Sequence, residues 1–110
     1  MAEDYLLVFA TAPSREVGEQ IAMKLVEERL AACVNLVGPV LSTYRWEEAI
    51  QKDEEVLLMI KTRSTLFDRV AECIRQNHPY SVPEVIAVTI SQGLPSYLDW
   101  INKETAPREG

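Results

Sequence analysis

Cys33–Trp46 has the sequence CVNLVGPVLSTYRW, which is rich in β-branched and aromatic side chains and favours an extended strand over a helix. The Gly38-Pro39 pair in its middle indicates a bend or bulge in that strand, because proline cannot donate a ladder hydrogen bond. A second apolar run, VLLMI at residues 56–60, is flanked by charged residues and predicts a central strand. We expect the polar residues 47–55 to turn the chain between these two strands as a hairpin.

The chain before this hairpin predicts a strand followed by a helix. Tyr5–Ala12 (YLLVFATA) is a mostly apolar run that ends at Pro13, as a buried strand does. Ser14 is placed to cap a helix over residues 14–30, in which apolar residues recur at three- and four-residue steps.

The chain after the hairpin predicts a second helix, a strand and a terminal helix. Thr65-x-x-Asp68 resembles a capping box, and the helix that it opens ends at His78-Pro79. Residues 84–90 (EVIAVTI) predict the fourth strand. Pro95 suits the first position of a short helix that we expect to pack through Tyr97, Leu98, Trp100 and Ile101. Residues 106–110 are expected to fray.

The resulting order predicts one α+β domain over residues 1–110. It is a ferredoxin-like βαββαβ antiparallel sheet with two helices on one face, plus a short C-terminal helix. The other face of the sheet carries Val, Leu, Tyr and Trp side chains that a monomer would expose to water. An uncovered apolar face predicts an oligomer.

Composition excludes several classes of function. Eleven basic and 17 acidic residues give the 110-residue chain a net charge of −6, which disfavours nucleic acid and anionic membrane surfaces as partners. No apolar run approaches the roughly 20 residues of a membrane-spanning helix. Glu3 and Asp4 stand where a secretory signal needs basic residues. Two cysteines 40 positions apart are typical of a reduced protein, so we expect a cytoplasmic location.

The residues indicate no enzyme but allow a metal site. The sequence has no P-loop, G-x-S-x-G or G-x-G-x-x-G motif. Cys33, Cys73 and His78 are soft or borderline ligands suited to copper or zinc, although their spacing matches no zinc motif. The alternative stays open that both thiols are small core residues and that His78 hydrogen-bonds a turn.

A candidate crevice follows the second helix. Residues 77–84 (NHPYSVPE) contain two prolines that fix an extended turn, which carries the His78, Tyr80 and Glu84 side chains. The alternative is a rigid helix-to-strand connection. Tyr44 and Trp46 form an aromatic cluster at a strand end, where Trp46 suits the role of an interface anchor.

Five segments in register carry a resemblance to a known family. They are LAACVN (residues 30–35), S-x-Y-x-W-E (42–47), E-x-x-L-x-I-K-T (55–62), H-P-Y-x-V-P-E (78–84) and Y-L-x-W-I (97–101). Together they resemble the CutA family of divalent-cation tolerance proteins. The resemblance implies a cytoplasmic, non-enzymatic homotrimer similar in architecture to PII signalling proteins. It also implies a link to copper or another divalent cation, and no organic cofactor.

The same resemblance implies the site residues. Candidate copper ligands are Cys33, Cys73 and His78, with Glu84 as a weaker candidate. The matched motifs also contain the candidate interface or crevice residues, which are Tyr44, Trp46, Lys61 and Tyr80. The chain departs from the family at Ser81 and Glu48, where a glutamate and a glycine are usual, and at Ala10, where a third cysteine falls in the members that have one. We therefore expect weak metal binding, mainly at an accessible His78.

Two alternatives remain open, and a third is disfavoured. A PII-like signalling trimer would bind a small effector between subunits. A structural or assembly role would hold other proteins in place. An acylphosphatase-like hydrolase shares the order of elements, but its Gly-rich, Arg-bearing anion loop is missing from this sequence.

Overall fold

The computed structural model describes residues 4–107, which form four strands and three helices. They are β1 (Tyr5–Ala12), α1 (Arg15–Glu27), β2 (Cys33–Trp46), β3 (Ala49–Arg63), α2 (Phe67–Gln76), β4 (Val85–Thr89) and α3 (Pro95–Glu104). A turn of 3-10 helix, Ser64–Leu66, joins β3 to α2. This order confirms the predicted α+β class. In residues 4–107, no helix is both long and apolar enough to cross a bilayer.

The four strands form one antiparallel sheet in the order β2-β3-β1-β4. Val8 at the centre of β1 pairs with Ile60 of β3 on one side and with Ala87 of β4 on the other. Alternate residues of β1 and β3 pack against α1 and α2 and form the core. Its fully buried members include Val8, Leu58 and Ile60 from the strands and Ile21, Leu25, Val70 and Ile74 from the helices.

The opposite side of the sheet, here called the open face, has no helix over it. Leu7 and Phe9 of β1 pair with residues of both neighbouring strands, so their side chains share this face with those of Met59 and Ile86. Ile86 is 58% exposed although it lies in the middle of a strand. Apolar side chains thus line a face that one chain leaves in water.

β2 and β3 extend together beyond the core as a two-stranded arm, residues 40–55. Their register shifts between Val37 and Val40, where β2 accommodates one extra residue, so the predicted bulge at Gly38-Pro39 is confirmed. The predicted turn over residues 47–55 was too long. The turn is only Glu47 and Glu48, both with positive φ as a tight two-residue hairpin requires, and Ala49 already pairs with Trp46.

The helix ends differ in detail from the prediction. Ser14 caps α1 as expected, because its side chain accepts a hydrogen bond of 3.2 Å from the Val17 amide. α1 ends at Glu27 and not at residue 30, since Arg29 takes a left-handed conformation with φ 59°. The predicted capping box was wrong. β3 continues to Arg63, the chain then makes a 3-10 turn, and Leu66 occupies the cap position of α2 without a side-chain hydrogen bond.

The terminal helix α3 begins at Pro95 as predicted, but it packs less than expected. Ile101 is fully buried, whereas Tyr97 and Trp100 are 41% and 39% exposed and contact each other with ring centroids 5.5 Å apart. Of the tail that we expected to fray, residues 108–110 lie outside the described range, as do residues 1–3 at the other end of the predicted domain.

Candidate functional site

Cys33 lies at the start of β2 on the open face of the sheet. Its neighbour Val34 packs against the core, so the alternation along the strand directs the Cys33 side chain to the opposite side. The Lys61 ammonium lies 4.0 Å from the Cys33 sulfur and also donates to the Asn35 side-chain oxygen. The thiol is half-buried. Cys33 is therefore a partly accessible sulfur beside a cation.

Cys73 lies on α2 within the core, on the other side of the sheet from Cys33. Burial raises the pKa of its thiol above the ordinary value, and the nearby Glu28 carboxylate acts in the same direction. Asn77 donates to the Cys73 carbonyl oxygen over 2.7 Å and lies 3.8 Å from its sulfur. The sheet thus separates the two cysteines, and Cys73 has the environment of a packed core residue.

His78 is 9% exposed, so the expectation of an accessible histidine was wrong. Its Nε2 lies 2.7 Å from the Thr11 carbonyl oxygen, and the Tyr80 amide donates to its Nδ1 over 3.1 Å. This pattern requires Nε2 to carry the proton. Both ring nitrogens form hydrogen bonds, and these bonds fasten the turn after α2 to the end of β1. A metal would have to displace one of these bonds.

The three predicted metal ligands therefore do not meet within one chain. Cys33 is on the open face, Cys73 is in the core and His78 closes a turn, while Glu84 is exposed beside that turn. Residues 4–107 contain no group of three or more His, Cys, Asp or Glu side chains that could hold a metal ion. Their roles as ligands stay predictions, and one chain alone does not supply a closed coordination site.

A crevice of about 630 Å³ lies where the arm leaves the core, between the arm and the turn after α2. Because the bulge absorbs one residue of β2, Tyr44 falls on the same side of the arm as Asp53 and Glu55, and accordingly its hydroxyl donates to Asp53. The turn supplies the opposite wall. The lining residues are Thr11, Ser42, Thr43, Tyr44, Trp46, Glu55, Tyr80, Ser81, Val82 and Glu84.

The potential in the crevice is negative. Glu55 is only 7% exposed, and it accepts a long hydrogen bond of 3.4 Å from the Tyr80 hydroxyl. The hydrogen bond that the Tyr44 hydroxyl donates to Asp53 raises the pKa of Tyr44 to about 12. Burial, and then the charge of Glu55, raises the pKa of Tyr80 as well. Both phenols therefore stay protonated at neutral pH.

The structure brings together four of the residues that the sequence singled out for a crevice: Tyr44, Trp46, Tyr80 and Glu84. Lys61 is not among the lining residues and lies with Cys33 on the open face. Sequence reasoning missed Glu55 and Asp53, because both were assigned to the polar turn. Continuing the alternation of the VLLMI run backwards from Leu57 would have placed them on one face of a strand.

Comparison with known proteins agrees with this architecture. The family model for the CutA1 divalent ion tolerance protein matches residues 6–104. A chloroplastic CutA protein of Arabidopsis thaliana is 46% identical over 100 residues, covering 91% of this chain and 55% of the relative. The divalent-cation tolerance protein CutA of Thermus thermophilus is 46% identical over 99 residues, covering 90% and 96%. The chain thus spans about half the length of the plant relative.

A solved structure shows the same fold. The crystal structure of CutA1 from Oryza sativa superposes with a TM-score of 0.92 at 43% identity and covers 96% of each chain. Fold, sequence motifs and family model therefore agree over nearly all of the described residues. The chain belongs to the CutA1 divalent ion tolerance protein family.

Proposed function

We propose that this protein is a non-catalytic, homotrimeric divalent-cation tolerance protein that binds copper or another divalent cation weakly and acts in the cytoplasm. The strand order β2-β3-β1-β4 supports a ferredoxin-like domain. The names of the relatives in Thermus thermophilus and other organisms support the link to divalent cations. The two free cysteines support a reducing compartment.

The observation that carries the trimer is the open face of the sheet. Ile86 and Val88 of β4 are more than half exposed, although apolar side chains of a sheet are usually covered by a second layer of structure. The arm adds exposed Leu41 and Ile50 and reaches far enough to contact a neighbouring copy, since the molecule measures 46 × 30 × 22 Å. Association would cover both the apolar face and the free strand edges.

Native mass spectrometry of protein purified without chelator tests this assembly. We expect a species of three times the chain mass of 12.5 kDa, and any bound metal or ligand would appear in the same spectrum. Light scattering at micromolar concentration should return the same mass. A monomer mass in both measurements would contradict the trimer.

Metal binding should depend on Cys33 more than on the other candidates. Cys33 is the more accessible thiol, whereas Cys73 is buried and both nitrogens of His78 are engaged. A soft ion such as Cu(I) at Cys33 takes its remaining ligands from neighbouring copies or solvent, which makes binding weak. Calorimetric copper titration should show the greatest loss in Cys33→Ala, with Cys73→Ala as the matched control. Equal binding by the wild type and Cys33→Ala would contradict this assignment.

A second candidate function is favoured by the crevice. Its volume of about 630 Å³ lies within the range of small-molecule sites, and its walls combine aromatic and polar side chains. This supports the alternative of a PII-like signalling trimer whose crevice takes a small effector. The two functions use different residues, because the crevice lining does not include Cys33.

A further inference from the structure

We propose that the crevice between the arm and the turn after α2 binds a small organic ammonium cation through its aromatic rings and its buried carboxylate. The inference rests on the second candidate function, a small effector in the crevice, and it names the chemical class of that effector. Its support comes from the charge, the aromatic lining and the donor set of the crevice.

The first support is an uncompensated buried charge. Glu55 is 7% exposed and lines the crevice, and none of the described ion pairs includes it. Its carboxylate receives a single long hydrogen bond, from the Tyr80 hydroxyl. A buried carboxylate is costly unless it is paired, so a cationic ligand would supply the missing counter-charge.

The sign of the remaining lining agrees. Glu84 is a second carboxylate on the wall, and none of the described lining residues is Lys, Arg or His. Asp53 lies beside Tyr44 on the same side of the arm, where it accepts the hydrogen bond of the phenol. The pKa of Tyr44 is raised first by its hydrogen bond to Asp53 and that of Tyr80 first by burial, and the charges of Asp53 and Glu55, which add to both shifts, also attract a cation.

The aromatic side chains favour an organic cation over a metal ion. Tyr44, Trp46 and Tyr80 contribute three rings to the lining, and an alkylammonium group binds over such ring faces. Tyr80 is held in place by its neighbour, because its ring lies 4.6 Å from that of His78 and its amide donates to the same imidazole. A hard divalent ion needs six or more oxygen ligands, and the described residues offer no cluster of three acidic groups.

The test compares choline with its neutral carbon analogue, in which a tert-butyl group replaces the trimethylammonium group. The two probes have nearly the same shape, so a difference in binding reports the charge. We expect calorimetry or NMR titration of the trimeric protein to show saturable choline binding, and binding at least about tenfold weaker for the neutral analogue.

Two variants locate the binding site. Glu55→Gln keeps the size of the side chain and removes the charge, and Tyr80→Leu removes one ring; each should weaken choline binding about tenfold. Glu19→Gln makes the same change of charge on the exposed side of α1 and should leave binding unchanged. The mass of each variant by light scattering checks that its assembly is intact.

Several results would overturn the proposal. These are no choline binding at millimolar concentration, equal binding of the neutral analogue, or choline binding that survives both crevice variants. Displacement of choline by Mn²⁺ at lower concentration would make the crevice a metal site. If inorganic phosphate bound in place of choline, the crevice would keep its effector function and only the ligand class would be wrong. Loss of the trimer or of copper binding would instead count against the first proposed function.

Discussion

At the scale of single residues, the pair formed by Tyr44 and Asp53 sets the electrostatics of the arm. The hydroxyl of Tyr44 donates to the Asp53 carboxylate, and this contact is the main reason why the pKa of Tyr44 rises from 10.0 to about 12. A raised folded-state pKa means that the contact stabilises the fold below pH 10. The stabilisation is lost as the pH rises from 10 towards 12.

This shift can be measured directly. Asp53→Asn should return the pKa of Tyr44 towards 10, since the carboxylate that accepts the phenol hydrogen bond is gone and its negative charge with it. The measurement is the phenolate absorbance against pH, with the Tyr44→Phe spectrum subtracted to isolate this side chain from the other three tyrosines. Asp68→Asn on the exposed face of α2 is the control and should change nothing. An unshifted titration in Asp53→Asn would show that the hydrogen bond is absent in solution.

His78 and Glu55 show which residue properties the sequence could predict. The proline beside His78 predicted a fixed turn, and the structure has one. One of the two hydrogen bonds of the imidazole joins it to the Thr11 carbonyl oxygen, 67 positions away, so no local pattern could have predicted that contact, whereas the other, from the Tyr80 amide, is local. Glu55 was misassigned because charge alone suggests solvent, whereas its strand position next to the crevice decides its burial.

At the scale of elements, α3 is held by arginines from two other parts of the chain. The guanidinium of Arg29, just after α1, donates to the carbonyl oxygens of Lys103 and Ala106 over 2.8 and 2.6 Å. Arg63 at the end of β3 donates to the Thr105 carbonyl oxygen over 2.8 Å. Lys103 lies in the last turn of α3, and Thr105 and Ala106 follow it, so these bonds fasten the C-terminal end of the helix to the ends of α1 and β3.

Arg29→Ala should therefore destabilise the protein by about 2 kcal/mol, because two hydrogen bonds from a charged group are lost. Alanine meets the same steric cost as arginine at the positive φ of this position, so the comparison isolates the guanidinium. Denaturant unfolding gives the free energy, and hydrogen exchange should show faster exchange in α3.

Arg75→Ala is the control for this experiment. Arg75 forms an exposed ion pair with Glu72, and its removal should leave the free energy of unfolding nearly unchanged. Equal effects of the two substitutions would show that Arg29 does not anchor α3.

The elements were predictable where their apolar pattern was complete. The bounds of β1 and β2 follow from composition, and Pro95 marks the start of α3. The first part of β3 was missed because QKDEE has no apolar alternation. Pairing with β2, and not the burial of its own side chains, keeps this segment extended.

At the scale of the whole molecule, the two sides of the sheet differ in what covers them. α1 and α2 pack on one side, and the described part of this chain leaves the other open. This asymmetry was expected from the order of elements, because both helices of a βαββαβ chain cross on the same side. Which neighbouring surface covers the open face depends on contacts between chains, and those have no signature in a single sequence.

A pair of matched substitutions tests this asymmetry. Ile86 on the open face and Met23 on the outer side of α1 are 58% and 62% exposed. Replacing either side chain by glutamate therefore removes a similar amount of apolar surface that is buried within one chain. Under the proposed trimer, Ile86→Glu should reduce the mass of the assembly in light scattering and make the unfolding midpoint depend more strongly on protein concentration. Met23→Glu should leave both quantities unchanged. Dissociation by both variants, or by neither, would place the interface elsewhere.

β3 is one continuous strand that belongs to the arm in its first part and to the core in its second. Residues 56–63 pair with β1 along its whole length, and residues 49–55 extend beyond β1 with no break in the strand. The arm is consequently a direct extension of the core sheet through β3, with no loop between the two. One wall of the crevice is thus set during folding, and the other is tied by His78 to the end of β1. A ligand that enters meets a preorganised cleft, so its binding energy is not spent on ordering the walls.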